Sequence, residues 1–153
     1  MPAVYRDDPY GGYNFEVVIP GISDDGTTVK GAFAEVSGIE ADITPIEYRG
    51  GNEDIIARKI PGLKKFNNLT FKRGIIGDLA FWNWILAAMN GQVQRTEGSI
   101  VLLDEQRKEV MRWNFKRGWS CKWTGPGLNA KYNEIAMETL EICHEGIEID
   151  GQA

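Results

Sequence analysis

The sequence predicts a mainly β protein that contains one α-helix. Apolar and polar residues alternate in "YNFEVVIP" (13–20) and in "MRWNFK" (111–116), and this period of two is typical of half-buried strands. Turn-forming residues separate such segments, as at Gly50-Gly51-Asn52 and Gly125-Pro126-Gly127. Further strands of the same kind are expected at 29–37, 68–73, 99–104 and 119–124.

One segment, "GDLAFWNWILAAMNG" (77–91), interrupts this alternation. Asp78 is a candidate N-cap, and Gly91 follows the last apolar residue, where it would end a helix. Apolar residues recur between them at helical spacing, at positions 79, 82, 85, 86 and 89. The segment therefore predicts a helix over about 78–90. Its aromatic residues are assigned to the core rather than to a stacked ligand, namely Phe81, Trp82 and Trp84.

The C-terminal segment "NEIAMETLEICHEG" (133–146) leaves its secondary structure open. Its Ala, Met, Leu and Glu residues favour a helix. Its apolar positions, 135, 137, 140 and 142, fit neither the period of a helix nor that of a strand. The residues alone therefore allow either structure here.

Length and composition indicate one globular domain over residues 1–153. A domain of this size removes roughly 68–70% of its unfolded surface from water. Hydrophobic residues make up 42% of the chain and charged residues 25%, which is typical of a folded protein. The N-terminal residues lack the apolar stretch of a signal peptide, and no run approaches the ~18 apolar residues that cross a membrane. We therefore expect a soluble protein that is made in the cytoplasm.

Charge is distributed unevenly along the chain, whose net charge is −5. Residues 1–57 contain 3 basic and 11 acidic residues, residues 58–131 contain 14 and 5, and residues 132–153 contain none and 6. These blocks either neutralise one another within one fold, or lie on opposite surfaces where they align copies of the protein head to tail. A nucleic-acid site is disfavoured, because basic and acidic residues are interspersed and the total is negative.

The sequence indicates no active site, cofactor site or metal site. It contains no GxSxG, P-loop, GxGxxG or HExxH motif, and any catalytic triad would need His144, the only histidine. Cys121 and Cys143 are too few and too far apart in sequence for a disulfide framework, so buried free thiols are expected. A chance disulfide and a metal pair of Cys143 with His144 are the alternatives. We therefore expect that the protein is not an enzyme.

The segment "IEYRGGNEDIIARKIPG" (46–62) predicts two extended arms around a turn at Gly50-Gly51. Neither arm has a clean apolar face, because isoleucines mix with charges on both faces. Pro45 and Pro61 are compatible with edge strands, whose open edges are either blunted or paired with another chain. We therefore expect a long hairpin over about 40–61 that becomes buried on assembly. A closed rotation of such copies gives a ring, and stacked rings give a tube.

Seven ordered blocks carry a resemblance to a known family. They are "NFEVVI" (14–19), "GAFAEVSGIEADITPIEYRGG" (31–51), "RKIPGLKKFNNLTFKRG" (58–74), "GSIVLLDE" (98–105), "RWNFKRGW" (112–119), "GPGLNA" (125–130) and "EIAMETLEICHEG" (134–146). Together they resemble the inner tube protein of contractile phage tails and of phage-tail-like contractile injection systems. The resemblance covers nearly the whole chain.

The resemblance implies an antiparallel β-barrel or sandwich of two sheets with one flanking helix. It also implies a structural role, in which six-subunit rings stack into a tube that is expelled on sheath contraction to deliver cargo. The implied partners are further copies of the chain, the contractile sheath protein, baseplate and spike proteins, a tube cap or terminator, and cargo in the lumen. Assembly would take place in a phage tail or an injection-system particle. The alternatives are a baseplate-proximal tube initiator or specialised tube paralogue and, more remotely, an enzyme or ligand-binding protein on the same barrel.

The resemblance also assigns surfaces between subunits. The arms of the long hairpin would be Glu35–Arg49 and Asp54–Pro61, and Trp113–Trp119 would be a strand of the inter-subunit sheet. The loop Leu128-Asn129-Ala130 would precede the final strand, at 134–143. The expected interface residues are Ile46, Glu47, Tyr48, Arg49, Gly50, Gly51, Asp54, Ile55, Ile56, Arg58, Ile60, Pro61, Leu128 and Asn129.

Two stretches depart from the family pattern. Gly118-Trp119-Ser120 stands where Ala-Trp-Pro is common, so the bulge or edge that the proline imposes is expected to differ. Glu105-Gln106-Arg107 replaces a turn that usually contains glycine. Both departures bear on the role of the chain within a particle rather than on its fold.

Overall fold

The computed structural model describes residues 3–20, 29–31, 33–51, 57–75, 77 and 79–150, which form ten strands and one helix. The strands are β1 (Phe15–Ile19), β2 (Val29–Gly31), β3 (Phe33–Ser37), β4 (Ala41–Tyr48), β5 (Arg58–Phe66), β6 (Leu69–Gly74), β7 (Thr96–Leu103), β8 (Glu109–Thr124), β9 (Met137–Cys143) and β10 (Ile147–Ile149). The helix, α1, spans Ala80–Met89. These bounds confirm a mainly β protein with one helix.

Eight of the strands form one antiparallel sheet, in the order β2-β1-β7-β8-β9-β6-β3, with β10 beside β8. The long β8 pairs with β7 along its first half and with β9 along its second half. It therefore joins two antiparallel layers, as the expected sandwich requires. The end strands β2 and β3 are not paired with each other over the residues that the structure describes, so the barrel is open between them.

The core lies between these layers and is built by alternation. In β6, Leu69 and Phe71 are buried while the residues between them are partly exposed, and Leu140 and Ile142 repeat the pattern in β9. The Phe71 ring lies 6.4 Å from that of Phe115, on β8. Burying each such side chain stabilises the fold by about 1.5–3 kcal/mol, so the period of two read from the sequence corresponds to the buried face.

Helix α1 packs on a different face from the predicted one. Its buried residues are Ala80, Phe81, Trp84 and Ile85, whereas Leu79, Trp82 and Met89 are exposed. The helix is apolar on most of its circumference, so spacing alone does not select the face, and tertiary contacts do. Leu79 occupies the N-cap position without a side-chain cap, and the predicted cap, Asp78, lies outside the described residues. Gly91 has a φ of 86°, as expected of a glycine that ends a helix.

A buried ion pair fixes α1 to the sheet. Arg73 of β6 and Glu138 of β9 are paired in the ladder, and the Arg73 Nε to Glu138 Oε1 distance is 2.5 Å. Trp123 Nε1 donates a hydrogen bond of 3.2 Å to the other Glu138 oxygen. The Arg73 guanidinium lies 4.0 Å from the ring centroid of Phe81, on α1. Both charges are buried, so these contacts offset part of the cost of removing them from water.

Two glycines make room for the ring of Phe115. A Cβ atom built on Gly98 would lie 2.4 Å from Phe115 Cζ, and one on Gly118 would lie 2.6 Å from Phe115 Cε2. An alanine at position 118, as in the family pattern, would therefore displace this ring. The bulge in β8 lies between Ser120 and Lys122, directly after the departure from the family pattern.

The C-terminal segment is a strand, β9, and not a helix. Its residues alternate in burial because β9 lies between β6 and β8, and this packing outweighs the helix-favouring composition. The expectation of a strand at 134–143 is thus confirmed, with an observed start at Met137. It is not the final strand, because β10 follows it and pairs with β8.

The glycine-free turn at Glu105-Gln106-Arg107 forms by other means. Arg107 adopts a φ of 61°, a left-handed conformation that glycine ordinarily provides. The Asp104 carboxylate accepts hydrogen bonds of 2.9 Å from the backbone N–H groups of Gln106 and Lys108. Arg107 Nη1 also donates to Asn14 Oδ1 at 2.7 Å. These contacts hold the turn without glycine.

Candidate subunit interface

Strands β4 and β5 form a two-stranded antiparallel sheet of their own. Ala41 pairs with Phe66 at the root of this hairpin, and Tyr48 pairs with Arg58 toward its tip. The second arm thus continues to Phe66, beyond the predicted end at Pro61. The first arm begins at Ala41 and not at Glu35, which lies in β3 and pairs with β6.

Gly38 explains the break between β3 and the hairpin. It has a φ of 91°, and a Cβ atom there would lie 2.1 Å from the carbonyl oxygen of Asn68. Only glycine fits this close backbone approach, so the chain turns away from the sheet at this point. The predicted continuous arm Glu35–Arg49 is therefore wrong, because it combines one strand of the body with one arm of the hairpin.

The hairpin exposes almost all of its side chains. Every residue of β4 is exposed, and in β5 all are exposed except Gly62, which is partly exposed. Ile46 is 53% exposed and Leu63 is 82% exposed. Other large apolar residues of the hairpin share this exposure, namely Ile43, Tyr48, Ile60 and Phe66. Exposed large apolar residues on both arms of a hairpin indicate a site of protein association.

The two arms of the hairpin carry opposite charge. The acidic residues Asp42 and Glu47 lie on β4, where they pair across the ladder with Lys65 and Lys59 of β5. The basic residues of β5 are Arg58, Lys59, Lys64 and Lys65. An acidic arm and a basic arm suit contact between the unlike arms of two copies, and disfavour contact between like arms.

Proline and glycine interrupt the middle of the hairpin. Pro45 pairs with Pro61, and the register shifts between Ile43 and Pro45. A Cβ atom on Gly62 would lie 2.4 Å from the carbonyl oxygen of Thr44. Because proline has no N–H to donate, the hairpin is a poor template for uncontrolled strand addition, although its side chains are exposed.

The root of the hairpin is fixed to the body. Nε2 of His144 lies 2.8 Å from the carbonyl oxygen of Asn67, and the His144 and Phe66 rings are 6.0 Å apart. Beside the root lies an apolar groove of about 180 Å³, lined by Ile39, Glu40, Ala41, Phe66, Trp113, Ile147 and Ile149. His144 therefore holds structural contacts in this chain, at the junction between body and hairpin.

The structure separates the predicted interface residues into groups. Ile46, Glu47, Tyr48, Arg58, Ile60 and Pro61 lie in β4 and β5, and Arg49, Gly50 and Gly51 follow β4. Asp54, Ile55 and Ile56 lie outside the described residues. Leu128 and Asn129 lie in the loop before β9, whereas the hairpin root contacts residues that follow β9. Leu128 and Asn129 are thus at the opposite end of β9 from the hairpin root.

The block Trp113–Trp119 is a strand, as predicted, within β8. Its backbone pairs with β7 on one side and with β10 or β9 on the other. Over Trp113–Lys116 both edges of this block are therefore occupied within the chain.

The remaining candidates for chemistry give no centre. Among the described residues, no three or more His, Cys, Asp or Glu side chains are grouped so that they could hold a metal ion. Cys121 and Cys143 are free but only half-buried, whereas buried thiols were expected. Over the same described part of the chain, no helix has both the length and the apolar character needed to span a bilayer.

A family model covers almost all of this fold. The model of the T4-like virus tail tube protein gp19 matches residues 11–148, a range that includes α1, the strands β1 to β9 and all but the last residue of β10. The chain belongs to this tail tube family. This tail tube protein is a structural subunit of an inner tube. No curated protein sequence matches it significantly.

Solved structures with similar chains extend this result. A chain of the PVC sheath-tube complex, from an extracellular contractile injection system in the extended state, is 26% identical. The match covers 93% of the tail tube protein and 91% of that chain, with a TM-score of 0.79. A chain in the anti-feeding prophage tube-terminating cap is 27% identical over 96% of the tail tube protein and 94% of that chain, again with a TM-score of 0.79.

A more distant likeness concerns the fold alone. Hcp1 from Flavobacterium johnsoniae is 14% identical, with a TM-score of 0.60 over 92% of the tail tube protein and 97% of that chain.

The sequence prediction missed the root half of the second arm, from Gly62 to Phe66. The sequence feature that could have predicted this half of the arm was its pairing with the first arm, not its hydrophobic pattern. Lys64 and Lys65 lie opposite Ile43 and Asp42 across the ladder, and Lys59 lies opposite Glu47. The complementary charges of the two arms would have indicated the longer arm.

Proposed function

We propose that this tail tube protein assembles as rings of six copies, in which each hairpin is covered by a neighbouring copy. The observation that carries the proposal is the hairpin itself, a separate two-stranded sheet with exposed apolar residues on both arms. An isolated two-stranded hairpin is marginally stable in water. A neighbour that covers Ile46, Ile60 and Leu63 would remove their apolar surface from water and stabilise it.

The charge of the two arms supports head-to-tail contacts around the ring. The acidic arm, β4, of one copy would face the basic arm, β5, of the next, and a closed rotation repeats this contact without leaving an arm uncovered. The rings would stack into a tube with cargo in its lumen. Leu128 and Asn129 are proposed as a second contact, because Leu128 is exposed and lies far from the hairpin root.

The proposed partners follow from the complexes in which similar chains occur. These are a sheath-tube complex, a baseplate and a tube-terminating cap. We infer that this chain is made in the cytoplasm, contacts a contractile sheath and baseplate or spike proteins, and is closed by a cap. The proposed role is mechanical, as a conduit that sheath contraction expels, and it involves no catalysis.

Electron microscopy of two matched variants tests the hairpin interface. Ile46→Asp combined with Ile60→Asp places two charges at one cross-strand pair of the hairpin. Met89→Asp places a charge at an exposed residue at the end of α1 and is the control. Wild-type and control proteins are expected to form rings or tubes in negative stain, and the hairpin variant to remain monomeric in sedimentation velocity. Rings of the hairpin variant, with wild-type abundance, would contradict the assigned interface.

A further inference from the structure

Cys121 and Cys143 lie on the same face of two adjacent strands. Cys143 of β9 pairs with Trp119 of β8, and the next pair is Ile142 with Ser120. Residues that pair across an antiparallel ladder point to the same side, and successive residues alternate. Ile142 and Ser120 are buried, so Cys143 and Trp119 point to the outer side. Cys121 follows Ser120 and lies on this outer side as well.

The bulge in β8 brings the two thiols together. The register shifts between Ser120 and Lys122, so Cys121 is the extra residue of the bulged strand. Burial of the Cys121 thiol and its hydrogen bond with the Cys143 thiol raise the pKa of Cys121 to about 12. Cys121 Sγ donates to the carbonyl oxygen of Glu141 at 3.4 Å, and this contact holds it above β9. Two residues that are 22 positions apart in sequence are thus neighbours in the fold.

We propose that Cys121 and Cys143 form an oxidation site, at which a small-molecule disulfide such as oxidised glutathione converts the two thiols into one cross-strand disulfide. Both cysteines are free in this structure and half-buried, so neither is sealed from a small reagent. The bond would join β8 to β9 outside the core. Because cytoplasmic thiols are kept reduced and extracellular ones are not, the disulfide would form after the protein leaves the cell.

The reaction is a pair of thiol–disulfide exchanges. Cys143 loses its proton to water and attacks one sulfur of the reagent, and the second sulfur leaves as a thiolate. Cys121 then loses its proton to water and attacks Sγ of Cys143, which releases the second reagent thiol. Two thiols of the protein are oxidised by two electrons in total, and one reagent disulfide is reduced to two thiols.

The bond would leave the rest of the fold in place. The surrounding polar groups already have partners, since Asn68 Nδ2 donates to the Glu141 carboxylate at 2.8 Å. The disulfide would close a loop of 22 residues that includes the exposed segment before β9, and so reduce the freedom of the unfolded chain. We expect the melting temperature to rise by roughly 5–10 °C without a change in secondary structure.

Mass spectrometry of the intact full-length protein tests the site. Native wild-type protein is incubated with oxidised glutathione, and its mass and titratable thiols are measured after unfolding. We expect a loss of about 2 Da with no retained glutathione, and a fall from two thiols to none. Cys121→Ser should instead retain one glutathione on Cys143, because no second thiol is present to displace it. Cys143→Ser should react more slowly than Cys121→Ser, and this difference in rate would confirm the order of attack.

Three results would overturn the proposal. The first is wild-type protein that keeps two titratable thiols after treatment, and the second is stable glutathione adducts on both cysteines. The third is a disulfide-linked dimer in place of the intramolecular bond. Circular dichroism of both serine variants provides the check that they are folded. The outcome is independent of ring formation, because a monomer contains the complete thiol pair.

Discussion

The β-sheet body and the β4–β5 hairpin bury their residues in opposite ways. In β6, alternate residues reach full burial, and Phe71 is 0% exposed. In β4, a strand of similar length, no residue is buried at all. The body therefore stabilises itself by burying apolar side chains, whereas the hairpin has the backbone pairing of a sheet but leaves its apolar side chains exposed. Regular strand pairing is thus compatible with a segment whose stabilising surface belongs to another copy.

The largest expected difference between these regions is in the response to truncation of an apolar side chain. Phe71→Ala should lower the free energy of unfolding of the monomer by about 3–5 kcal/mol, because it leaves a cavity in the core. Leu63→Ala should change it by no more than about 0.5 kcal/mol, since this side chain is exposed. Urea denaturation of both variants measures the two values. Equal losses would show that the hairpin packs on its own body.

A slightly smaller effect is expected at the buried ion pair. Glu138→Gln should destabilise the body by about 3 kcal/mol, because the buried Arg73 charge would lose its ion pair with Glu138. Glu145→Gln, at an exposed ion pair with Arg117, is the matched control and should cost less than about 1 kcal/mol. Both values come from chemical denaturation. Similar costs at the two sites would mean that the Arg73 charge is not buried in solution.

Two glycine substitutions separate stability from assembly. Gly118→Ala should destabilise the monomer by about 2 kcal/mol, because the new methyl group contacts the buried ring of Phe115. Gly62→Ala places a methyl group against the Thr44 carbonyl within the hairpin, so it should reduce ring formation and leave the unfolding of the body unchanged. Thermal melts and sedimentation velocity measure the two properties. If Gly62→Ala formed normal rings, the pairing of β4 with β5 would not be required for the interface.

The smallest effect is expected at the turn that holds the N-terminal segment. The Arg6 guanidinium donates to both Glu105 oxygens and lowers the pKa of Glu105 to about 2. Because the pKa of Glu105 is lower in the folded state than in the unfolded state, its ion pair stabilises the fold at pH values above the unfolded pKa. This contribution is lost as the pH falls toward 2. In Arg6→Ala, NMR titration should return this pKa toward its ordinary value of 4.5, with little change in melting temperature at pH 7. A pKa that stays near 2 would contradict the assigned cause.

Much of the body could be predicted from the sequence, because strands that bury every second residue show alternating apolar and polar residues. Strands β6 and β9 differ in how clearly their sequences show this alternation. β6 shows the alternation clearly, whereas β9 required the family resemblance, since its Met, Leu and Glu residues also suit a helix. The buried face of α1 could not be predicted, because apolar residues cover most of the helix and its contacts with the rest of the chain, such as those of Phe81 and Trp84, select the face.

The length of the hairpin and the closeness of the two thiols could not be predicted from the residue pattern of any one segment. The extent of the second arm depended on register across the turn, and the neighbourhood of Cys121 and Cys143 depended on a bulge in β8. Both are properties of pairing between strands, so no single segment contains them. Leu128 is likewise separated from the hairpin root because it precedes β9, whereas the root contacts His144, which follows β9.

Hydrogen exchange of monomeric and assembled protein tests the central claim most directly. The two states are compared by mass spectrometry at the level of peptides from β6, β9 and the hairpin. We expect the β6 and β9 amides to be protected in both states, and the amides of β4 and β5 to become protected only in rings or tubes. Strong protection of the hairpin in the monomer, or none in the assembly, would contradict the account.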